Sequence, residues 1–176
     1  DGIGRHHHRE GDRLPGVERG GDLPAVACTF VANVAPEGGA IGALDEQQLG
    51  SSPDPGAELQ NLLVWGNLPT TSQIDAEPKA TYPSSLDTSL VEFGCPSSPL
   101  VLCSALLPSA DPLFTDATAG VLTLGPSSPA RDAGDTAALP PDVFDLDGDG
   151  DTTEPIPIDR AGQPRVVGGT VGLGAY

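Results

Sequence analysis

Glycine and proline interrupt this chain so often that no long α-helix fits between them. The 176 residues include 23 Gly and 19 Pro, about a quarter of the chain. Proline lacks a backbone donor and glycine weakens a helix interior, so the pattern favours short strands joined by turns. Hydrophobic residues make up 38% and aromatic residues only 4%, which predicts a thin core of small aliphatic side chains.

Five short runs of strand-forming residues alternate with turn clusters after residue 22. Each run is rich in β-branched or large apolar side chains and is bounded by Gly, Pro, Asn, Asp or Ser. The runs span residues 25–31, 59–65, 88–93, 121–124 and 165–167. This alternation predicts an all-β chain.

The first three runs resemble one another. Cys28–Asn33 aligns with Asn61–Asn67 if one residue bulges, and Ser89–Gly94 is a weaker copy. A spacing of about 30 residues is typical of solenoids, in which each coil buries its inward face by stacking on the next. The closing Asn of the first two copies suits a bend, because Asn tolerates left-handed backbone. We therefore predict a right-handed parallel β-helix, with a β-sandwich as the alternative.

Composition divides the chain into three segments. Residues 1–24 show no apolar periodicity and are predicted to be disordered or loosely attached, so the run His6–His8 is interpreted as solvated. Residues 25–125 are predicted to form the β-helix coils. Residues 126–176 are predicted to form an irregular C-terminal cap that contains an acidic Asp/Gly loop.

The chain is strongly acidic, with 25 acidic and 8 basic residues and a net charge of −17. After residue 19 the only basic residues are Lys79, Arg131, Arg160 and Arg165. Such a surface repels the phosphates of nucleic acids and of anionic lipids, so we expect no nucleic-acid partner. The sequence contains no apolar run long enough to span a membrane.

Two of the three cysteines are close in sequence. Cys95 and Cys103 bracket a Pro/Ser-rich stretch, which favours a small disulfide loop in an oxidising, extracellular compartment. Two buried thiols are the alternative. Cys28 is left over and is interpreted as a small buried hydrophobe.

The densest group of carboxylates lies near the C-terminus. Asp145, Asp147, Asp149, Asp151 and Glu154 fall within ten residues, and their alternate spacing with a following Gly matches the opening of a calcium loop. The twelfth position, where a bidentate Glu belongs, is an Ile. We therefore predict a partial calcium site with an affinity of ~0.1–1 mM, completed by Asp142, Asp159 or backbone carbonyls. A solvated Asp/Gly turn is the alternative.

Five segments follow one another in a recognisable order. They are residues 28–41, 61–67, 111–114, 127–135 and 172–176. The first two resemble coils of bacterial polymorphic outer-membrane-type repeat proteins. The third resembles the Asp-Pro-aromatic stop after the last coil. The last two resemble the closing signature of the choice-of-anchor Q group of right-handed β-helix (pectin-lyase-like) surface proteins. Arg131 stands where that family usually has an aliphatic residue, and Gly172 where it usually has Asp.

This resemblance implies a C-terminal fragment of a secreted or bacterial cell-surface protein. The implied role is non-catalytic and adhesin-like, with carbohydrate or a cell-surface molecule as partner. The alternative is a piece of a polysaccharide lyase or hydrolase whose active site lies partly upstream. Because His occurs only at positions 6–8, we predict no Ser/His/Asp arrangement in the rest of the chain. Asp132 and Asp135 are interpreted as turn residues, since the resemblance places them in a turn.

Overall fold

A computed structural model describes residues 24–35, 39–43, 57–68, 70, 73–76 and 83–176. These ranges contain short strands and two 3-10 helices, Ala117–Ala119 and Thr136–Ala138, but no α-helix. The strands, numbered in chain order, are β1 (Ala25–Val26), β2 (Thr29–Val31), β3 (Ile41–Ala43), β4 (Glu58–Gln60), β5 (Leu63–Trp65), β6 (Ile74–Ala76), β7 (Ser84–Asp87), β8 (Leu90–Val91), β9 (Val101–Ser104), β10 (Phe114–Asp116), β11 (Val121–Leu124), β12 (Val166–Val167) and β13 (Thr170–Val171). The predicted all-β character is confirmed for this part of the chain.

Three parallel sheets hold the first nine strands. Their orders are β1-β4-β7-β9, β2-β5-β8 and β3-β6. Strands β1, β2 and β3 lie in the first, middle and third sheet, and β4, β5 and β6 repeat that order, so strands from successive passages lie side by side. In the last passage β7 and β8 lie in the first and middle sheets, and β9 returns directly to the first. The remaining strands form two antiparallel pairs, β10-β11 and β12-β13.

The register of the middle sheet agrees with the sequence repeat. Phe30 pairs with Val64, and Val64 pairs with Val91. Asn33 and Asn67 likewise meet across 34 residues, while Leu62 and Ser89 meet across 27. The three aligned runs therefore lie next to one another, which places the repeated apolar positions in one layer.

Left-handed backbone splits each of the first two predicted runs into two strands, and in the third run it separates β8 from the preceding strand β7. Ala27 (φ 54°), Asn61 (φ 56°) and Thr88 (φ 38°) separate the first sheet from the middle sheet in successive passages. The closing asparagines, Asn33 and Asn67, do not take this conformation, contrary to the expectation for them. The residues just before them, Ala32 and Gly66, do so instead.

The closing asparagines stack upon each other through side-chain hydrogen bonds. Asn67 Oδ1 accepts from Asn33 N (3.0 Å) and Asn33 Nδ2 (2.8 Å). Asn67 Nδ2 donates to Phe30 O (3.0 Å) and to Gln73 Oε1 (3.1 Å). Asn67 is fully buried, so these bonds satisfy a polar group that would otherwise be costly inside the fold.

The parallel sheets enclose a first apolar cluster, which we call the inner core. Its buried members come from all three sheets and from the corners between them, and are Leu59, Leu62, Val64, Ile74, Leu86, Val91 and Val101. Val64 and Val91 point inward from β5 and β8. Because side chains alternate along a strand, their neighbours Leu63 and Leu90 point to the opposite face.

A second cluster, the outer core, lies on that opposite face. Leu63 and Leu90 pack there against Ala130 and Leu173 of the C-terminal segment. Residues 126–176 thus contact the outer face of β2-β5-β8, reaching Thr29 through a hydrogen bond from Ala175 N (2.9 Å). The segment predicted to form an irregular C-terminal cap therefore covers the outer face of this sheet.

Nearly all of the predicted N-terminal segment, residues 1–24, lies outside the described residues, as does Lys79. Across the ranges that the structure describes, no helix has both the length and the apolar character needed to cross a membrane.

Candidate functional site

The acidic loop is closed at its base by an antiparallel bridge between Pro141 and Pro155. Asp142 N donates to Glu154 O (2.7 Å), and Ile156 N donates to Pro140 O (3.0 Å). The two ends of the loop of residues 142–154 therefore lie side by side, which brings its first and last carboxylates, those of Asp142 and Glu154, close together.

Side-chain-to-backbone hydrogen bonds shape the interior of the loop. Asp145 Oδ1 accepts from Gly150 N (3.1 Å), and Asp149 Oδ1 accepts from Asp151 N (2.7 Å). Gly148 and Gly150 have φ values of 78° and 90°, which Gly adopts without the steric strain of other residues. The repeated Asp-Gly pattern therefore forms consecutive tight turns in which the Asp carboxylates accept hydrogen bonds from the backbone of the loop.

Two overlapping groups of carboxylates result. Asp145, Asp147 and Asp149 each place one oxygen within 4.8 Å of the others, and Asp142, Asp147 and Glu154 do the same. Two oxygens bound to one calcium ion lie at most about 5.2 Å apart, given Ca–O distances of 2.3–2.6 Å. Either group therefore has a spacing that one calcium ion can bridge. Asp147 belongs to both.

The structure places Asp151, the fourth predicted ligand, in neither group. Asp151 Oδ1 accepts from Thr153 Oγ1 (2.7 Å) and Thr153 N (2.9 Å). These hydrogen bonds, led by the one from the Thr153 side chain, lower the pKa of Asp151. Its carboxylate is used locally as a turn acceptor. Of the predicted completing groups, Asp142 joins the site, whereas Asp159 accepts from Ala161 N and Gln163 N in a separate turn.

Glu154 lies in the most strongly negative part of the loop. Burial raises its pKa, and the charges of Asp149, Asp147, Asp151 and Asp142 raise it further. The carboxylates that the sequence spacing predicted to lie close together therefore repel one another in the folded loop.

Cys95 and Cys103 are joined by a disulfide, with sulfur atoms 2.02 Å apart. The bridge ties the turn after β8 to strand β9. Cys28 is a free thiol that is half-buried against the inner core. Burial raises its pKa, which reduces its thiolate fraction.

Asp132 and Asp135 both occupy turns. Asp132 is exposed with a φ of 53°. Asp135 caps the 3-10 helix Thr136–Ala138 by accepting from Ala137 N (2.9 Å), and it binds Asn61 through its backbone. The cap and the backbone contacts of Asp135 are those of a structural turn residue.

A groove of about 370 Å³ lies beside the disulfide, a feature that sequence reasoning did not identify. Gln73, Val91, Glu92 and Phe93 contribute to its lining. Phe93 is 65% exposed although it follows a buried strand. Glu92 interrupts an apolar run, and that polar residue was the one available signal in the sequence.

Glu92 is held in place by two hydrogen bonds to its Oε2 atom. Gly66 N donates over 2.6 Å and Gln73 Nε2 over 2.9 Å. Trp65 packs against the outer core and so has a structural role. An exposed aromatic face beside fixed polar atoms is an arrangement suited to a polar, ring-shaped ligand.

Comparison with known proteins finds no family model that matches the chain, and no matching curated protein or solved structure.

Proposed function

We propose that this chain is a non-catalytic module of a secreted or cell-surface right-handed β-helix and that it binds carbohydrate. The observation that carries the binding role is the groove beside the disulfide, with Phe93 exposed at its edge. The β-helix assignment is supported by the repeated visits of the chain to three parallel sheets and by the aligned register of the repeat.

The extracellular location is supported by two features. The disulfide Cys95–Cys103 is of a kind that persists in oxidising compartments. The net charge of −17 suits a soluble surface in contact with salts and cations. The family resemblance of the chain points to the same compartment.

A binding role fits the groove better than the alternative lyase or hydrolase role. Its described lining contains one acidic residue, Glu92, and no Lys, Arg or His. Both hydrogen bonds to Glu92 come from neighbouring protein groups, which orient its carboxylate. Arg131, Arg160 and Arg165 all lie in the C-terminal segment, and Lys79 lies outside the described residues.

A glycan array probed with the purified chain, followed by calorimetry on each glycan that binds, tests this proposal. We expect Phe93→Ala to weaken glycan binding about tenfold, because the exposed ring supplies the stacking surface. Phe144→Ala is the matched control, since Phe144 is 83% exposed but lies in the acidic loop.

The control variant should bind glycans like the unchanged chain. Absence of any bound glycan, or equal weakening by the two variants, would contradict the proposal. Release of unsaturated products from an acidic polysaccharide would instead favour the lyase alternative.

A further inference from the structure

We infer that buried Asp142, together with Asp147 and Glu154, forms a calcium site that joins the two ends of the acidic loop. This site keeps Asp147 and Glu154 of the set predicted from the sequence and adds Asp142, which was predicted only as a completing group, but it leaves out Asp145, Asp149 and Asp151. It is independent of the glycan-binding groove.

The first observation is the burial of Asp142, which is 1% exposed. One of its oxygens, Oδ2, accepts a hydrogen bond from Leu146 N (2.7 Å). Within residues 83–176, which the structure describes throughout, no group donates a hydrogen bond to the other oxygen, Oδ1. A buried carboxylate oxygen with no donor is unfavourable unless a cation or a proton compensates it.

Glu154 repeats the same feature on the returning side of the loop. Its Oε1 atom is buried and likewise receives no hydrogen bond from the described residues. Two carboxylates from opposite ends of one loop therefore each hold a buried oxygen with no donor. Such a pair is rare in a folded protein, where buried polar atoms are nearly always paired.

The two buried carboxylates lie close to each other and to a third carboxylate, that of Asp147. One oxygen each of Asp142, Asp147 and Glu154 lies within 4.8 Å of the others. A divalent cation at the centre removes the repulsion between the three carboxylates. Calcium prefers hard oxygen ligands and accepts irregular geometry, whereas magnesium requires near-ideal octahedral coordination. Backbone carbonyls and water would supply the remaining ligands.

Binding at this point would stabilise the C-terminal segment. Asp142 and Glu154 flank the Pro141–Pro155 bridge, and Leu139, just before it, is buried. A cation that holds the loop ends together therefore favours the folded segment that covers Leu63 and Leu90. A ligand that binds only the folded state stabilises it by RT ln(1 + L/Kd), where L is the free ligand concentration, and so raises the melting temperature.

The test is calorimetric titration and thermal unfolding of the full chain with calcium chloride, magnesium chloride or a chelator. We expect calcium to bind with a Kd of ~0.1–1 mM and to raise the melting temperature. Asp142→Asn should weaken calcium binding at least ~10-fold and remove the calcium-dependent rise. Without calcium this variant should melt no lower than the unchanged chain, since it removes an uncompensated buried charge.

Asp151→Asn is the matched control, because Asp151 is exposed, lies in the same loop and is used by Thr153. It should retain calcium affinity within about twofold. Glu154→Gln provides a second test, with the same expected loss as Asp142→Asn, if Asp142→Asn does not fold.

Three results would overturn the inference. The first is calcium without heat of binding and without effect on the melting temperature of the unchanged chain. The second is unchanged calcium affinity in Asp142→Asn, which would assign the ion to the other group, Asp145, Asp147 and Asp149. The third is an equal effect of magnesium, which would contradict the assignment to calcium.

Discussion

The two faces of the β2-β5-β8 sheet are buried in different ways. On the inner face, Val64 and Val91 meet apolar side chains from the other parallel sheets, at positions that recur along the chain. On the outer face, Leu63 and Leu90 meet Ala130 and Leu173 from an irregular segment. One sheet therefore serves two cores, one built by repetition and the other by a single segment.

The outer core depends on individual polar contacts. Asn61 Nδ2 donates to Asp135 O (2.8 Å), and Asn61 Oδ1 accepts from Asp135 N (2.7 Å). Arg165 is buried and donates to the backbone oxygens of Tyr176 (3.1 Å), Gly172 (3.2 Å) and Gly174. Burial lowers the pKa of Arg165, opposed by the charge of Asp159.

The two ways of burying the sheet imply different sensitivities to single substitutions in the parallel sheets and in the C-terminal segment. Repeated strands share their stability among many similar backbone ladders, so a single ladder bond matters little. The C-terminal segment has few strands, and a small number of side chains fix its position. Three tests, described from the largest expected effect to the smallest, show whether the two cores behave differently.

The largest effect is expected from truncating one leucine in each core. Leu86→Ala and Leu63→Ala should each cost about 2–5 kcal/mol, because both side chains are fully buried. Trp65, the single tryptophan, packs on the outer core, so its fluorescence reports on that region. In urea, Leu63→Ala should shift the fluorescence transition further than the far-ultraviolet circular dichroism transition, whereas Leu86→Ala should shift both together.

Leu102→Ala is the control for this pair, since Leu102 is 56% exposed and its truncation should change stability by no more than about 0.5 kcal/mol. Coincident transitions in Leu63→Ala would mean that the two cores unfold as one unit.

A smaller effect is expected where the C-terminal segment approaches β2. Gly174 has a φ of 79°, and a Cβ there would lie 2.3 Å from Thr29 Oγ1. Gly174→Ala should therefore cost about 2–4 kcal/mol, from left-handed strain and from steric overlap. Gly168→Ala is the control, since Gly168 also has a positive φ but meets no atom within 4 Å.

Thermal unfolding should show a loss of about 1–2 kcal/mol for Gly168→Ala, from strain alone. If the two alanine variants lose the same stability, the close approach of Gly174 to Thr29 does not contribute.

The smallest effect is expected from Asn61→Gly, which keeps the left-handed corner but removes both hydrogen bonds to Asp135. We expect a loss of about 1–3 kcal/mol, with faster amide exchange concentrated in residues 126–176. Thr88→Gly changes the equivalent corner of the next passage and should leave exchange in that segment unchanged. Uniform acceleration across the strands in Asn61→Gly would contradict a local role for Asn61.

Local patterns predicted about half of the described strands and none of their corners. The predicted runs cover β1, β2, β4, β5, β8, β11 and β12, but no run covers β3, β6, β7, β9, β10 or β13. The repeat alignment placed Cys28–Asn33 beside Asn61–Asn67, and the register agrees with it. The left-handed bends at Ala27 and Thr88 had no signal, because neither Ala nor Thr prefers that conformation. Stacking of successive passages imposes these bends, and the ladders on either side compensate the strain.

The acidic loop shows the same division. Spacing identified Asp145, Asp147, Asp149 and Glu154 as neighbours, since turn residues a few positions apart remain close in any compact loop. Spacing did not show that Asp151 accepts hydrogen bonds from Thr153, nor that Asp142 is buried. Both facts depend on how the ends of the loop meet at Pro141 and Pro155, which spacing along the chain does not specify.

The sequence by itself determined the alternation of short strands with turns, the apolar repeat and the acidic loop, because each depends on neighbouring residues and local backbone preferences. Only the tertiary structure decided which surface the C-terminal segment covers and which carboxylate becomes buried. Ala175 reaches Thr29 across 146 residues, and no local preference specifies such a contact. The contact follows from the placement of Leu63 and Leu90. Because side chains alternate along a strand, both leucines face away from the inner core, and they would be exposed to water if the C-terminal segment did not cover them.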